Sequence, residues 1–395
     1  METAPPQTSS PSQHAAYTVH SESLEHFIRT IFKCLRRIDQ RKWAHAYLSG
    51  LLVTPGKKSV RRIAAGISRD PSVVQSLRQF VSLSPWDFDD VMEEITRWVV
   101  QRRPEPVWSI GRAVLPKRGE KSVGVHRHFD LHSGRTLNCQ LGLGAFLCVG
   151  AAQVPVDWCL HLPTTWTQDS DRRREARVPV SEHYRPMWAH ALRLVDRLSA
   201  RLDSPSSVVL ADMSNEPDVG FLLRGLAKRR RNVVVAVPPH LAVLPVCEAA
   251  PAPVSARALV LAQSPETDVV PLPDGQQRVA GFQTSLVHLP SSAPGRSPGP
   301  PYRLFTETGP TLKSRRLWLT SLTHHTLGAV GEIAALTGGT TAVIDSLEQD
   351  FGLLDFEGRS YPGWYHHMAL ISAAYTFRCL HGVTAPPSRG SARQP

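Results

Sequence analysis

The apolar positions along this chain change period once, and that change divides it. Between residues 21 and 103 they recur at helical spacing: Leu24, Phe27, Ile28, Ile31, Phe32 and Leu35 share one face, and Trp43, Tyr47, Leu48, Leu51 and Leu52 another. Two shorter helices are predicted after Ser59 and after Ser72. A longer one opens at Ser84-Pro85-Trp86-Asp87, which carries N-cap and first-turn proline signals, and buries Phe88, Val91, Ile95, Trp98 and Val99. From about residue 106 the period is two. Strands are predicted at Pro106–Ile110 and Lys121–Phe129, a turn at His132-Ser133-Gly134-Arg135, and further strands at Gln140–Val149 and Val154–Leu162. A strongly amphipathic helix follows, with Tyr184, Met187, Trp188, Ala191, Leu192, Val195, Leu198 and Leu202 on one face. In Ser207–Asp212 the aliphatic run Val208-Val209-Leu210 is too short for a helix and long enough for a strand covered on both faces. A helix near Pro217–Lys228 and a strand at Asn232–Val237 complete the pattern.

Antiparallel strands, helix, strand, helix, strand is the order of a ribonuclease H-like α/β (α+β) sheet, in which the first and fourth strands lie side by side. Other α+β sheets begin the same way. The expected organisation is a tail (1–20), a helical domain (21–103) and the first part of the core (104–239). A Pro/Ala-rich β insertion (240–315), C-terminal core helices (316–383) and a second tail (384–395) follow. The insertion holds strand-like ALVLA, SLVHL and Arg303–Phe305. After it a strand is predicted at Leu317–Leu319 and helices at Leu327–Leu336, Thr341–Phe351 and His366–Leu380.

Charge adds a partner. Lys plus Arg number 45 against 34 Asp plus Glu, a formal net charge of +11 with a pI near 9.7, which favours a polyanion, nucleic acid before acidic membrane. The six cysteines form no C-x-x-C pair and no zinc spacing with histidine, and read as buried thiols in a reducing cytoplasm. The first residues have no apolar core, so no signal peptide is expected, and no unbroken apolar run reaches the ~20 residues of a membrane span. A cytoplasmic, nucleoid-associated bacterial protein is the expectation, with no membrane partner.

Asp212 ends its apolar run at the carboxyl edge of the predicted strand, where ligands and catalytic groups collect in open α/β sheets; a carboxylate that only caps the next turn is the alternative. Lys57, Lys58, Arg61 and Arg62 gather at the start of a short helix, which suits phosphate contacts or a solvated charged face. No nucleophile elbow accompanies the many Ser, His and Asp residues, and Gly338-Gly339 lacks the Lys-Ser/Thr of a phosphate loop. His366-His367 reads as packing or capping rather than metal ligation.

Several blocks, in order, resemble the insertion-sequence DDE transposases of the seven-oh-one group, from about Arg41 to about Leu380. They are AYLSGLL, KKSVRRIA and SLRQFVSLSPWD in the helical part, then PKRGEKSVGVHRHFDLHSGRTLNCQLGL and HLPTTWTQDSDRRR in the sheet. VVLAD, VVVAVPP, LWLTSL and FEGRSYPGWYHHMALISAAYTF follow. The resemblance implies a ribonuclease H-like nuclease core, a helical DNA-binding domain in front of it, and a β insertion between the second and third of three metal-binding carboxylates. Such chemistry holds two divalent ions about 4 Å apart. Carried onto this chain, the second acid is Asp212. The first falls at Gly111 or Arg112, ahead of the Lys117-Arg118-Gly119 turn. The third falls at Thr341, its Arg and Trp neighbours at Thr337 and Gly338, and a following Lys at Glu348. Asp345, one turn past Thr341, is the remaining carboxylate on that face.

The resemblance thus implies a transposase-like protein that binds double-stranded DNA and lacks strand cleavage, its metal ligands reduced to none, or to Asp212 alone. No cofactor is expected, and Mg2+ or Mn2+ only where a metal site survives. A DNA-facing surface is expected from Lys57, Lys58, Arg61, Arg62, Lys117, Arg118, Lys121 and Arg127. An active enzyme with a rearranged metal site and an interaction scaffold without DNA binding are the alternatives, and a homodimer is left open.

Overall fold

The computed structural model describes residues 23–101, 107–130, 134–150, 152–202, 204, 206–246, 252–271, 276–290, 299–309 and 316–381. Helix α1 occupies residues 23–31. It is followed by α2 (Ile38–Val53), α3 (Val60–Ile67), α4 (Ser72–Ser82), α5 (Phe88–Val100), β1 (Val107–Pro116), β2 (His126–Asp130), β3 (Arg135–Val149) and β4 (Ala152–Leu160). Then come α6 (Thr164–Thr167), α7 (Ser170–Ala176), α8 (Met187–Arg201), β5 (Val208–Asp212), α9 (Val219–Lys228) and β6 (Asn232–Val237). The rest is β7 (Ala242–Pro245), β8 (Val254–Ser255), α10 (Ala256–Leu261), β9 (Glu266–Pro271), β10 (Gln277–His288), β11 (Tyr302–Glu307), β12 (Leu317–Thr320), α11 (Leu327–Asp350) and α12 (Tyr361–His381).

The sheet has the ribonuclease H-like order β4-β3-β1-β5-β6. β1 runs antiparallel to β3 and parallel to β5, β3 antiparallel to β4, and β5 parallel to β6. β5 is the central parallel strand its composition predicts: Val209, Leu210 and Ala211 are fully buried between helices on both faces. The insertion does not stand apart. β12 adds antiparallel to β6, then β11 and β10, with β9 and β7 beyond, so one hydrogen-bonded sheet runs through core and insertion. α11 lies across β1, β4, β5, β6 and β9, while α12 lies on β4 and against α2, α4 and α5. The helical part therefore shares a continuous core with the sheet, with Phe27, Leu48, Leu77 and Ile95 in the same cluster as Trp108, Trp158 and Trp364.

Several elements depart from the sequence expectation. The ALVLA segment is helix α10, because Ser255 caps it by accepting from the Ala258 amide. Lys121–Phe129 is a strand only from His126, since Gly124 takes a left-handed φ of 74° in the turn before it. The longer helix starts at Phe88 rather than at Ser84, with Asp87 accepting from the Asp89 amide. The two helices expected around Gly338-Gly339 are the single 24-residue α11. That continuity makes α11 long and apolar enough, by composition, to cross a membrane, contrary to the run-length count; here it covers the sheet. Pro106, the His132-Ser133 half of the predicted turn and the expected terminal tails fall outside the described residues.

Candidate functional site

The register of β1 on β5 pairs Trp108 with Val209, Ser109 with Leu210 and Ile110 with Ala211. One more step brings Gly111 beside Asp212, on adjacent strands about 4.8 Å apart. The two positions expected to carry the first and second acids are thus neighbours at the carboxyl edge of β5. Arg112 is the next residue and points to the other face, where its guanidinium meets Glu216 at 3.1 Å.

Gly111 has no room for a carboxylate. A Cβ there would stand 2.6 Å from Thr340 Cγ2, 3.1 Å from Ile344 Cδ1 and 3.2 Å from Phe146 Cε2. Thr340 is fixed from both sides. Ser109 shares a hydrogen bond of 2.5 Å with Thr340 Oγ1, which donates to Gln153 Oε1 at 2.7 Å, and Gln153 Nε2 donates to the Leu336 carbonyl at 2.7 Å. This buried polar chain ties β1, β4 and α11 together over the floor of the site. It fills the space in front of position 111 with packed side chains.

Asp212 is held elsewhere. Its Oδ1 accepts from the Ser214 amide at 3.1 Å and the Ser214 hydroxyl at 2.6 Å, closing the local turn as a strand-end carboxylate does. Its Oδ2 lies 3.3 Å from the Arg316 guanidinium, which enters from the start of β12. No sequence pattern singles out Arg316; only the antiparallel addition of β12 to β6 brings it there. The α11 positions do not converge on Asp212 in a ligand set. Thr341 is exposed and donates its hydroxyl to the Thr337 carbonyl at 3.3 Å, leaving Thr340 as the residue that faces Gly111. Asp345 is exposed, and the Glu348 carboxyl is pushed above its usual range by burial first and by Asp345 second. Among the described residues no three His, Cys, Asp or Glu side chains are grouped to hold a metal ion. Beside Arg316, a cleft of about 540 Å³ opens between β10–β12 and the small residues Gly331, Ala334, Ala335 and Gly338 of α11.

The basic residues separate into two kinds. Lys57, Arg61 and Arg62 are exposed at the start of α3, and Arg118 and Lys121 are exposed after β1. Lys58 and Lys117 are not on that surface, contrary to expectation. Lys58 is buried, its ammonium donating to the Thr54 carbonyl and its amide to Asp355 Oδ2 at 2.6 Å, and burial pushes its pKa down. Lys117 donates to the Phe356 carbonyl at 2.9 Å, and burial lowers it to about 8 against the pull of Asp355 and Glu357. Both lysines clamp the loop between α11 and α12, which brings their exposed sequence neighbours Lys57 and Arg118 beside it. Val123 donates to the Arg359 carbonyl at 3.1 Å, which adds exposed Arg359 to this rim, a residue that no charge cluster in the sequence marks. Arg127 is exposed on edge strand β2. His366 and His367 are core residues: His366 bonds the Val81 and Trp86 carbonyls and stacks on Trp86, and His367 bonds the Gly352 carbonyl.

Residues 30–262 match the sequence model of a family described as DDE superfamily endonuclease. No curated protein matches the chain. A cryo-EM structure of a piggyBac transposase synaptic complex with hairpin DNA aligns with 92% of this chain and 72% of its own, at 12% identity and a TM-score of 0.43.

Proposed function

We propose, because the chain belongs to the DDE superfamily endonuclease family, that it is a transposase-like protein that binds double-stranded DNA and does not cut or join it. One observation supports the second half: Gly111, where the resemblance puts the first acid, has the place of a side chain taken by Thr340 and Ile344. Enzymes of this superfamily use divalent metals, and the residues present do not fit them. Two doubly charged ions need several carboxylates gathered at one point. Here Asp212 faces the Arg316 guanidinium, whose fixed positive charge occupies the ground a metal would need.

DNA binding is supported by the exposed cations Lys57, Arg61, Arg62, Arg118, Lys121 and Arg359 around one loop, on a chain with a net charge of +11. Lys58 and Lys117 are left out of this surface and hold its two halves in place.

The test is incubation of the pure protein with supercoiled and linear DNA in Mg2+ or Mn2+. The expected outcome is salt-dependent binding without nicking, hairpin formation or strand joining, and no change with Asp212→Asn. Metal-dependent nicking by the unaltered protein that Asp212→Asn abolishes would sink the non-cleaving reading. The carboxylates Asp345 and Glu348 on one face of α11 favour a second reading, an enzyme with a displaced metal site. It requires that nicking be lost in Asp345→Asn as well.

A further inference from the structure

On the sheet face away from α11, the side chains of His126 and His128 project from β2, half-exposed, with register partners Cys139 and Leu137. Their rings lie 6.1 Å apart, His126 lies 5.5 Å from His161, and His161 lies 5.8 Å from both His190 and Tyr184. His190 is only 3% exposed, and among the described residues neither of its ring nitrogens has a hydrogen-bond partner, nor does His161 Nδ1. Buried, unsatisfied imidazoles in such a group call for a ligand or a role.

The charged groups around them decide which kind. Arg112 on β1 and Asp130 on β2 face His128, and Cys139 lies across on β3. Arg185 and Glu182, from the segment before α8, and Arg193 on α8 face His190. The acids are largely committed: Glu182 takes Arg185 at 2.7 Å and Arg193 at 2.8 Å, and Glu216 takes Arg112 at 3.1 Å. A cation entering here meets three guanidiniums, and among the described residues no three His, Cys, Asp or Glu side chains converge on it. Burial first, then neighbouring imidazoles and arginines, hold His161 down to about 4 and His190 to about 3, and push His128 down as well. Asp130, beside His128, is the acid facing the half-exposed rings, and a bound anion adds the counter-charge that further protonation calls for.

We propose that the half-exposed imidazoles His126 and His128, backed by the more deeply set His161, form a second contact for the phosphate backbone of nucleic acid, one that strengthens as its rings take up protons. It rests on the DNA-binding reading and deepens it. The stripe begins at Arg112, next to Gly111 and the Asp212 edge, so it continues the candidate site around the opposite face of the sheet. A phosphate arriving there pairs with the imidazolium, and binding and protonation reinforce one another.

The experiment measures binding of a labelled short duplex by anisotropy from about pH 8 to about pH 5.5, across the ordinary imidazole range. Wild type is expected to gain about five- to tenfold in affinity as pH falls, the linkage of one imidazole shifted by about one unit. His126→Gln/His128→Gln should keep less than half of that gain while retaining affinity at the alkaline end. Should the double variant fail to fold by circular dichroism, His128→Gln alone, at an edge-strand position, carries the same comparison. A flat profile in wild type, or the full gain kept in the folded variant, overturns the stripe and leaves DNA binding standing. Absence of duplex binding at every pH overturns both. Displacement of the duplex by inorganic phosphate at equal phosphate concentration makes it a free-anion site and also overturns the proposal.

Discussion

Replacing Gly111 by alanine tests the account of the site at its centre. The new Cβ would stand 2.6 Å from Thr340 Cγ2, about 1 Å inside the ~3.5–4.0 Å optimum for carbon contacts. Thr340 cannot swing away cheaply: its β-branched χ1 is stiff, and its hydroxyl is engaged by both Ser109 and Gln153. Overpacking of this kind costs about 1–3 kcal/mol. Against it stands ~0.5–1 kcal/mol from the reduced freedom of the unfolded chain when glycine becomes alanine. The net expectation is a loss of about 1–2 kcal/mol. Gly111→Asp should be worse, because its carboxylate would also arrive directly beside that of Asp212. The assay is urea unfolding followed by far-UV circular dichroism, reading midpoint shifts at unchanged slope. Thr340→Ser supplies the decisive partner, since it deletes the offending methyl and keeps the hydroxyl. In that background Gly111→Ala should recover about 1 kcal/mol or more of its cost. A neutral or stabilising Gly111→Ala, or an equal cost in both backgrounds, would refute the reasoning, and with it the claim that α11 has closed over position 111.

Three further outcomes follow from interactions elsewhere. Asp157 is fully buried, 2.6 Å from Arg197 and 3.0 Å from Arg201; Asp157→Ala leaves these two guanidiniums only the exposed Asp89, 2.9 Å from Arg201 and 3.8 Å from Arg197, and should cost about 3 kcal/mol by urea midpoint. At Glu182 burial raises the carboxyl pKa, but Arg193 and Arg185 outweigh it and hold it below its usual range. Its stabilisation is therefore complete above the unfolded value of about 4.3 and lost as pH falls through the folded one. Glu182→Gln should be less stable than wild type at neutral pH, with the gap narrowing on acidification; a constant gap counts against the ion pairs. Replacing Lys57, Arg61 and Arg62 by glutamine should lower the salt slope of duplex binding by about 0.9 for each phosphate these cations neutralise. An unchanged slope removes the helical part from the DNA surface.

Much of this architecture was legible because local patterning and tertiary context agree. Val208–Leu210 could only be a doubly covered strand, and the alternation of β1 set Gly111 on the same face as Ser109 without any coordinates. Reading failed where a distant partner decides. Lys58 and Lys117 look like solvent-facing cations in sequence, and only the return of the chain at residues 352–356 buries them. Arg316 reaches Asp212 through a strand that joins the sheet some hundred residues later. That Gly111 brings no side chain was plain in the sequence; what fills its place, Thr340 held by Ser109 and Gln153, spans 231 positions and leaves no local trace.

The unbroken course of α11 through Gly338-Gly339 bears on how the chain reaches its fold. Each glycine weakens a helix by about 1 kcal/mol relative to alanine, and helix nucleation is itself unfavourable, so this segment has little helicity of its own. Its order comes from docking onto strands made far earlier. During synthesis those strands emerge first, and until residue 327 follows, the face carrying Leu210, Val234 and Ala236 has no cover. A chain arrested before α11 would therefore present a bare apolar sheet to its neighbours, and such intermediates associate. The same helix that packs over Gly111 is the piece that makes this face of the nascent sheet safe from self-association.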